Sequence, residues 1–132
     1  EPEDENLEYT ALRETAEEIG VEEKDIKIIG SLTPLFIPVS KISVHPFVGY
    51  MDYKPDFKPD PTEVSYLITT SLQNLSRPGN KRKEKWHLMK ESYEVPFYAV
   101  ENNKVWGATA MILSEFLEVT GRAGLHPLYH QY

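Results

Sequence analysis

The stretch that decides the fold is residues 5–21, which read ENLEYTALRETAEEIGV. Residues 7–19 have a helical composition, and Gly20 is a natural helix stop just past their end. At about 100° per residue, three glutamates gather on one side of this helix, namely Glu14, Glu17 and Glu18. The less polar residues gather on the other side, namely Tyr9, Leu12, Thr15, Ala16 and Ile19. The sequence therefore predicts a helix with an apolar back and a concentrated carboxylate front.

The carboxylate front carries an electrostatic cost that calls for an explanation. Glutamates on one helix face repel one another by roughly a few tenths of a kcal/mol per pair, and Glu17 and Glu18 lie in the last turn, where the helix dipole disfavours negative charge. Arg13 can reach Glu17 at i+4 and offset part of this repulsion. A hard divalent cation such as Mg²⁺ or Mn²⁺ would remove most of the rest, because it prefers carboxylate oxygens. A solvated acidic face is the alternative that the residue types alone leave open.

The spacing of these residues resembles the Nudix box, G-x5-E-x7-R-E-U-x-E-E-x-G-U, in which U is a bulky aliphatic residue. Six fixed positions match, namely Glu5, Arg13, Glu14, Glu17, Glu18 and Gly20. Two departures stand out. Thr15 occupies a position where an aliphatic residue is usual, and the opening glycine of the box would fall just before Glu1.

The resemblance implies the Nudix fold, an α+β architecture in which an α/β/α sandwich encloses a mixed β-sheet. The chain begins inside the box. We therefore expect residues 1–132 to be a single, partial Nudix domain that lacks the N-terminal strands, with residues 122–132 as a flexible tail.

Nudix hydrolases cleave a nucleoside diphosphate linked to another moiety, using Mg²⁺ or Mn²⁺, and the resemblance implies this activity. Carried over to this sequence, the family pattern makes Glu14, Glu17 and Glu18 the catalytic, metal-binding carboxylates. Arg13 would orient a glutamate by ion pairing, and Glu5 would have a structural, charge-pairing role. A general-base role for Glu14 is the alternative, since family members differ in where the base comes from.

Beyond the box, the chain resembles the coenzyme A pyrophosphatase-like branch of the family. The likeness rests on short segments in order, namely 30–35, 46–49, 63–64, 95–98 and 105–110. It implies hydrolysis of coenzyme A or its derivatives to 3′,5′-ADP and 4′-phosphopantetheine. The alternatives are another substrate (a nucleotide sugar, a dinucleoside polyphosphate, NADH or a damaged nucleotide) and a Nudix-fold binding module without turnover.

Two further groups of residues are candidates for the site. Glu63 follows a proline-containing loop at residues 51–62 and is either an extra metal ligand or base, or a solvated glutamate at the start of a strand. An exposed basic turn is predicted at residues 77–85. Its residues either bind a substrate phosphate or belong to a mobile surface loop; those assigned to the phosphate are Arg77, Lys81, Arg82 and Lys83.

Composition narrows the partners and the compartment. The net charge of −7 is concentrated in residues 1–25, which hold 11 acidic and 2 basic residues, so nucleic-acid binding is not expected. No apolar run approaches the roughly 20 residues that a bilayer requires. The chain has no cysteine and no targeting signal, which predicts a cytoplasmic location. The expected partner is a small-molecule nucleotide, and a homodimer is left open.

Hydrophobic periodicity places the remaining elements. Strands are predicted at residues 26–32, 35–39, 44–50, 64–70, 86–89 and 93–100. A short helical turn or loop is predicted at residues 71–75 and a turn at Asn102-Asn103. A last helix is predicted from about residue 105 to residue 119, ended by Gly121. Its candidates for burial are Trp106, Ala110, Ile112, Leu113, Phe116 and Leu117.

Overall fold

The computed structural model describes residues 7–128, which fall into two compact units that meet in the chain between Leu67 and Ile68. The first unit contains helix α1 (Leu7–Ile19), a 3₁₀ turn (Glu23–Asp25) and strands β1 (Lys27–Ser31), β2 (Leu35–Ile37), β3 (Ile42–Val44) and β4 (Phe47–Tyr50). The second contains α2 (Leu72–Leu75), a 3₁₀ turn (Pro78–Asn80), β5 (Lys81–Leu88), β6 (Glu91–Val100), β7 (Asn103–Trp106) and α3 (Gly107–Arg122).

The strands pair in three small sheets. In the first unit β1 pairs with β4 and β2 with β3, and in the second β5, β6 and β7 form a meander. The predicted α+β class is confirmed. Every pairing described between residues 7 and 128 is antiparallel, so the parallel neighbours that a mixed sheet requires are not found in that range. Across the same residues, no helix is long and apolar enough to cross a membrane.

Helix α1 has the bounds that its composition predicts. Ala16 is buried, with 5% of its surface exposed, and Leu12 and Ile19 are half-buried. Tyr9 and Thr15 are exposed, so the apolar back is narrower than predicted. That back lines an apolar cavity of about 230 Å³, whose walls are Ala11, Leu12, Thr15, Ile19, Ile26, Ile28, Phe47, Gly49, Met51 and Phe57.

The C-terminal end of α1 is held by a loop from much later in the chain. The Lys58 amide donates to the carbonyl of Ile19 (2.9 Å), and the Asp60 amide donates to the carbonyl of Glu18 (2.8 Å). Gly20 makes this approach possible in two ways. Its φ of +72° lies in the left-handed region, and a Cβ at this position would run into the carbonyl oxygen of Lys58.

The second unit has its own hydrophobic core, in which β6 packs against α3. The buried members of this core are Leu75, Tyr98, Val100, Ala110 and Leu117, with Leu72, Val105 and Leu113 against them. Ile112 and Phe116 are half-buried. Trp106 was predicted in the core but is 52% exposed, because it ends β7 just before α3 begins and stacks edge-on against Trp86 instead, with ring centroids 4.8 Å apart.

Several predicted boundaries are wrong. Residues 64–70 form no regular strand, although their residue types favour one, because no neighbouring strand pairs with them among the described residues. The predicted basic turn at 77–85 is a 3₁₀ turn followed by strand β5. Eight residues of β5 pair with β6 in a hairpin, and this pairing overrides the low strand preference of lysine. The predicted strand at 44–50 divides between β3 and β4.

Part of the segment after α3 lies against that helix. Helix α3 continues through Gly121 to Arg122, and His126 beyond it is only 8% exposed. A Cβ at Gly121 would collide with the side chain of Leu128, so residues 126–128 lie directly against the helix. The flexibility expected of residues 122–132 stays a prediction. Residues 129–132 lie outside the described part.

The approach of Lys58 to Gly20 predicts that Gly20→Ala destabilises the protein. The positive φ alone costs about 1–3 kcal/mol for a residue with a Cβ, and the collision with the Lys58 carbonyl adds to this. We expect denaturant unfolding to show a loss of at least this size. Gly30→Ala is the matched control, because Gly30 has ordinary φ and open space around its Cβ position. Equal unfolding free energies for the two variants would contradict the assignment.

Candidate active site

The glutamate face of α1 lies on its last two turns. Glu14 and Glu17 are exposed and Glu18 is half-buried. The i, i+3, i+4 spacing brings these three side chains to one side of an unbroken helix. The structure thus presents a row of carboxylates to solvent at the helix end that the loop at residues 58–63 contacts.

Arg13 contacts the residue that its position in the helix predicts. Its Nη1 donates to Glu17 Oε1 at 3.1 Å, and the two side chains are 41% and 63% exposed. An exposed i, i+4 pair of this kind contributes only about 0.3–0.5 kcal/mol to stability. Its main effect is geometric, because the guanidinium restricts where the Glu17 carboxylate points.

The loop at the helix end is closed by its own hydrogen bonds. The Asp60 side chain accepts hydrogen bonds from the Thr62 amide (3.0 Å) and the Thr62 hydroxyl (2.8 Å). These bonds, the amide first, hold the pKa of the Asp60 carboxyl below its usual range. The Glu63 amide donates to the Asp60 carbonyl (3.1 Å), so Glu63 lies in the turn that starts at the contact with Glu18.

The donor chemistry of this region fits a hard divalent cation, since it consists of carboxylate oxygens on α1 and on the loop. A closed cage is not preformed: within residues 7–128, no group of three or more histidine, aspartate or glutamate side chains is arranged to hold a metal ion. The donor set fits an open divalent-metal site, in which one or two carboxylates bind and waters and substrate phosphates complete the shell.

The other predicted site residues belong to other parts of the chain. Glu5 lies outside the described residues. The four basic residues belong to the second unit, and strand alternation separates them. Lys81 and Lys83 point to one face of β5 and Arg82 to the other, while Arg77 precedes the 3₁₀ turn. These residues therefore do not form the single cluster that their closeness in sequence predicts.

Comparison with known proteins identifies the family of this chain. Residues 1–106 match the NUDIX domain. The chain belongs to this family. The chain is 30% identical to Nudix hydrolase 15, mitochondrial, of Arabidopsis thaliana over 126 residues. This similarity covers 91% of the chain and 44% of the relative.

Two further relatives illustrate the range of the similarity. The mitochondrial coenzyme A diphosphatase NUDT8 of Mus musculus is 31% identical over 85% of this chain and 54% of its own length. The uncharacterized Nudix hydrolase NudL of Photorhabdus laumondii is 25% identical over 89% of this chain and 63% of its own length. The chain thus spans about half the length of the curated relatives that it matches.

The amino-acid sequence does not predict the contact between the loop and the helix end. The proline-containing loop was predicted, but its docking onto Glu18 and Ile19 was not, because backbone hydrogen bonds leave no residue-type signal. One local signal was available. Asp60-Pro61-Thr62 has the pattern of a turn closed by an aspartate side chain.

We predict that Glu17→Gln weakens Mn²⁺ binding by the Nudix domain at least tenfold, because it replaces a charged carboxylate on the glutamate face by a neutral amide. Electron paramagnetic resonance of free Mn²⁺ measures this directly. Glu8→Gln is the control, since Glu8 is an exposed glutamate about 180° around the same helix. Stability should change by no more than about 0.5 kcal/mol in either variant. Equal Mn²⁺ affinities for the two variants would show that the glutamate face is a solvated surface.

The Asp60 turn gives a prediction for pH. Thr62→Val removes the hydroxyl donor but keeps the amide, so the pKa of Asp60 should rise part of the way towards its usual value. Since the folded-state pKa is depressed, the turn stabilises the fold above the usual aspartate pKa and loses this effect as the pH falls through the folded value. Carboxyl-detected NMR titration measures the shift. Thr69→Val, away from this turn, should leave the Asp60 titration unchanged.

Proposed function

We propose that the protein is a metal-dependent pyrophosphohydrolase that cleaves coenzyme A or its derivatives to 3′,5′-ADP and (acyl-)4′-phosphopantetheine. The observation that carries the proposal is the row of carboxylates on α1, positioned by Arg13 and backed by a loop fixed to the end of the helix.

Each carboxylate has a proposed role in this activity. Glu14, Glu17 and Glu18 would hold Mg²⁺ or Mn²⁺, with Arg13 acting on Glu17 as a positioning residue through the 3.1 Å hydrogen bond. When bound, the cation would neutralise the charge that develops on the phosphate and would lower the pKa of the attacking water. Glu63 is proposed as an extra ligand or as the base, since its turn starts at the residue that contacts Glu18.

The hydrolysis itself requires a positioned base. A P–O bond forms from the oxygen of water, the bridging P–O bond of the anhydride breaks, and the proton of water passes to a carboxylate. Glu63 is one candidate for this proton acceptor, and Glu14 is the other, as the alternative to its binding the cation. Both carboxylates are exposed, and neither forms an ion pair with an arginine among residues 7–128. A nearby cation stabilises the charged form of a carboxylate and makes it a weaker base.

The choice of coenzyme A rests on a likeness. The NUDT8 proteins of Mus musculus and Homo sapiens carry the name coenzyme A diphosphatase and are 31% and 27% identical to this chain. Other relatives are named only as Nudix hydrolases. Another nucleotide with a phosphoanhydride is therefore the alternative substrate, and the expected partner in each case is a small molecule.

The test is turnover by the purified protein with Mg²⁺ or Mn²⁺, followed by mass spectrometry of the products. The panel is coenzyme A, acyl-coenzyme A, ADP-ribose, a dinucleoside polyphosphate and NADH. We expect 3′,5′-ADP from coenzyme A. Glu17→Gln should lower the rate by at least about 100-fold, because it removes a direct metal ligand, whereas Glu8→Gln should retain the rate of the unmodified protein.

The other outcomes separate the hypotheses. Turnover of a different substrate without 3′,5′-ADP would keep the hydrolase and overturn the coenzyme A assignment. Absence of turnover on the whole panel, with both metals and a folded protein, would indicate a binding module. A Glu17→Gln variant at near-normal rate would show that the metal-ligand assignment is wrong.

A further inference from the structure

The second unit contains a polar cavity of about 280 Å³, just below the usual range of about 300–1,000 Å³ for small-molecule pockets. It is large enough for a phosphate group and a small part of the molecule that carries it. Its walls come from the region around α2 and the start of β5, from β6 and α3, and from the segment after α3. The polar and charged residues on these walls are Ser76, Arg77, Lys81, Tyr98, Ser114, Glu118 and His126.

The walls of this cavity are fixed by specific contacts. The Tyr98 and Ser114 hydroxyls are 2.8 Å apart. His126 is buried, with Nε2 at 2.8 Å from the Thr120 hydroxyl and Nδ1 at 2.8 Å from the carbonyl of Pro127. Both ring nitrogens of His126 therefore have hydrogen-bond partners. The side chain lines the cavity and holds residues 126–128 against α3.

Two cations at the cavity have no carboxylate partner among residues 7–128. Arg77 forms no ion pair there, and the Lys81 ammonium lies 5.9 Å from the centre of the Tyr98 ring, an electrostatic contact that leaves its N–H donors available. The carboxylate on the wall, Glu118, is bonded to Arg122 at 2.6 Å. The cavity therefore carries a net positive charge.

The neighbouring basic residues contact other parts of the second unit. Lys83 pairs with Glu94 across the hairpin at 3.9 Å. Arg82 points to the opposite face of β5, where its Nε donates to the carbonyl of Gly79 at 2.8 Å. Of the four basic residues that the sequence groups together, the structure thus assigns only Arg77 and Lys81 to the cavity.

We propose that this cavity binds a phosphate monoester. Arg77 offers a planar fork of donors that suits two phosphate oxygens, and Lys81 adds a compact charge. The hydroxyl pair adds a third donor, because one of the two hydroxyls donates to the other and the remaining hydrogen is available to an acceptor. The ligand is either free phosphate or the phosphate of a nucleotide such as 3′,5′-ADP, and the link to 3′,5′-ADP rests on the proposed function.

The test is an NMR titration of the protein with inorganic phosphate and, separately, with 3′,5′-ADP, at constant ionic strength and without divalent metal. Saturable shifts should map to residues at the cavity. Arg77→Gln and Lys81→Gln should each weaken binding about tenfold. Glu118→Gln should strengthen it, because it removes the negative charge from the wall. Tighter binding of 3′,5′-ADP than of phosphate identifies the nucleotide as the ligand, and equal binding identifies free phosphate.

Arg82→Gln and Lys83→Gln are matched controls, since each removes one positive charge from the same stretch of chain but none from the cavity. Equal weakening by all four neutral variants would overturn the proposal, because it would indicate attraction by overall charge. Absence of saturable binding by the folded protein would overturn it too. Neither readout depends on turnover, so the outcome is independent of the hydrolase assignment.

Discussion

The site in the first unit depends on one close approach of two backbones. At the end of α1, the amides of Lys58 and Asp60 donate to carbonyls that a helix terminus leaves without partners. These two donors also reduce the negative potential at the helix end, where Glu17 and Glu18 add further negative charge. Only a residue without a Cβ admits the loop, so Gly20 links the stability of the helix end to the presence of the loop beside the glutamates.

The sequence predicts best where structure follows from local periodicity. The bounds of α1 and the helical turn at Leu72–Leu75 are examples. It fails where tertiary contacts outweigh residue preference. The lysine-rich β5 becomes a strand because β6 pairs with it along its whole length, while the β-branched segment at 64–70 has no such partner in the described part of the chain.

The sequence likewise predicts only the locally determined part of the candidate site. The helical spacing predicts the glutamate face and the contact between Arg13 and Glu17, since both follow from residues one turn apart. The docking of the loop at residues 58–63 depends on backbone atoms and on distant parts of the chain, which residue types do not record. The His126 contacts at the end of α3 are a similar case, because they fold back a segment that has no periodic pattern.

The alternation of side chains along β5 has a consequence for the divergence of this protein. Lys81 and Arg82 are neighbours in the chain but belong to opposite faces of the strand. Deletion or insertion of one residue between the turn at Pro78–Asn80 and the hairpin would exchange the two faces along the strand. Point substitutions can change the cavity one side chain at a time, whereas a change of length would replace all the β5 side chains that face it in one step. Relatives that differ in length at this turn are therefore where a change of ligand is to be sought.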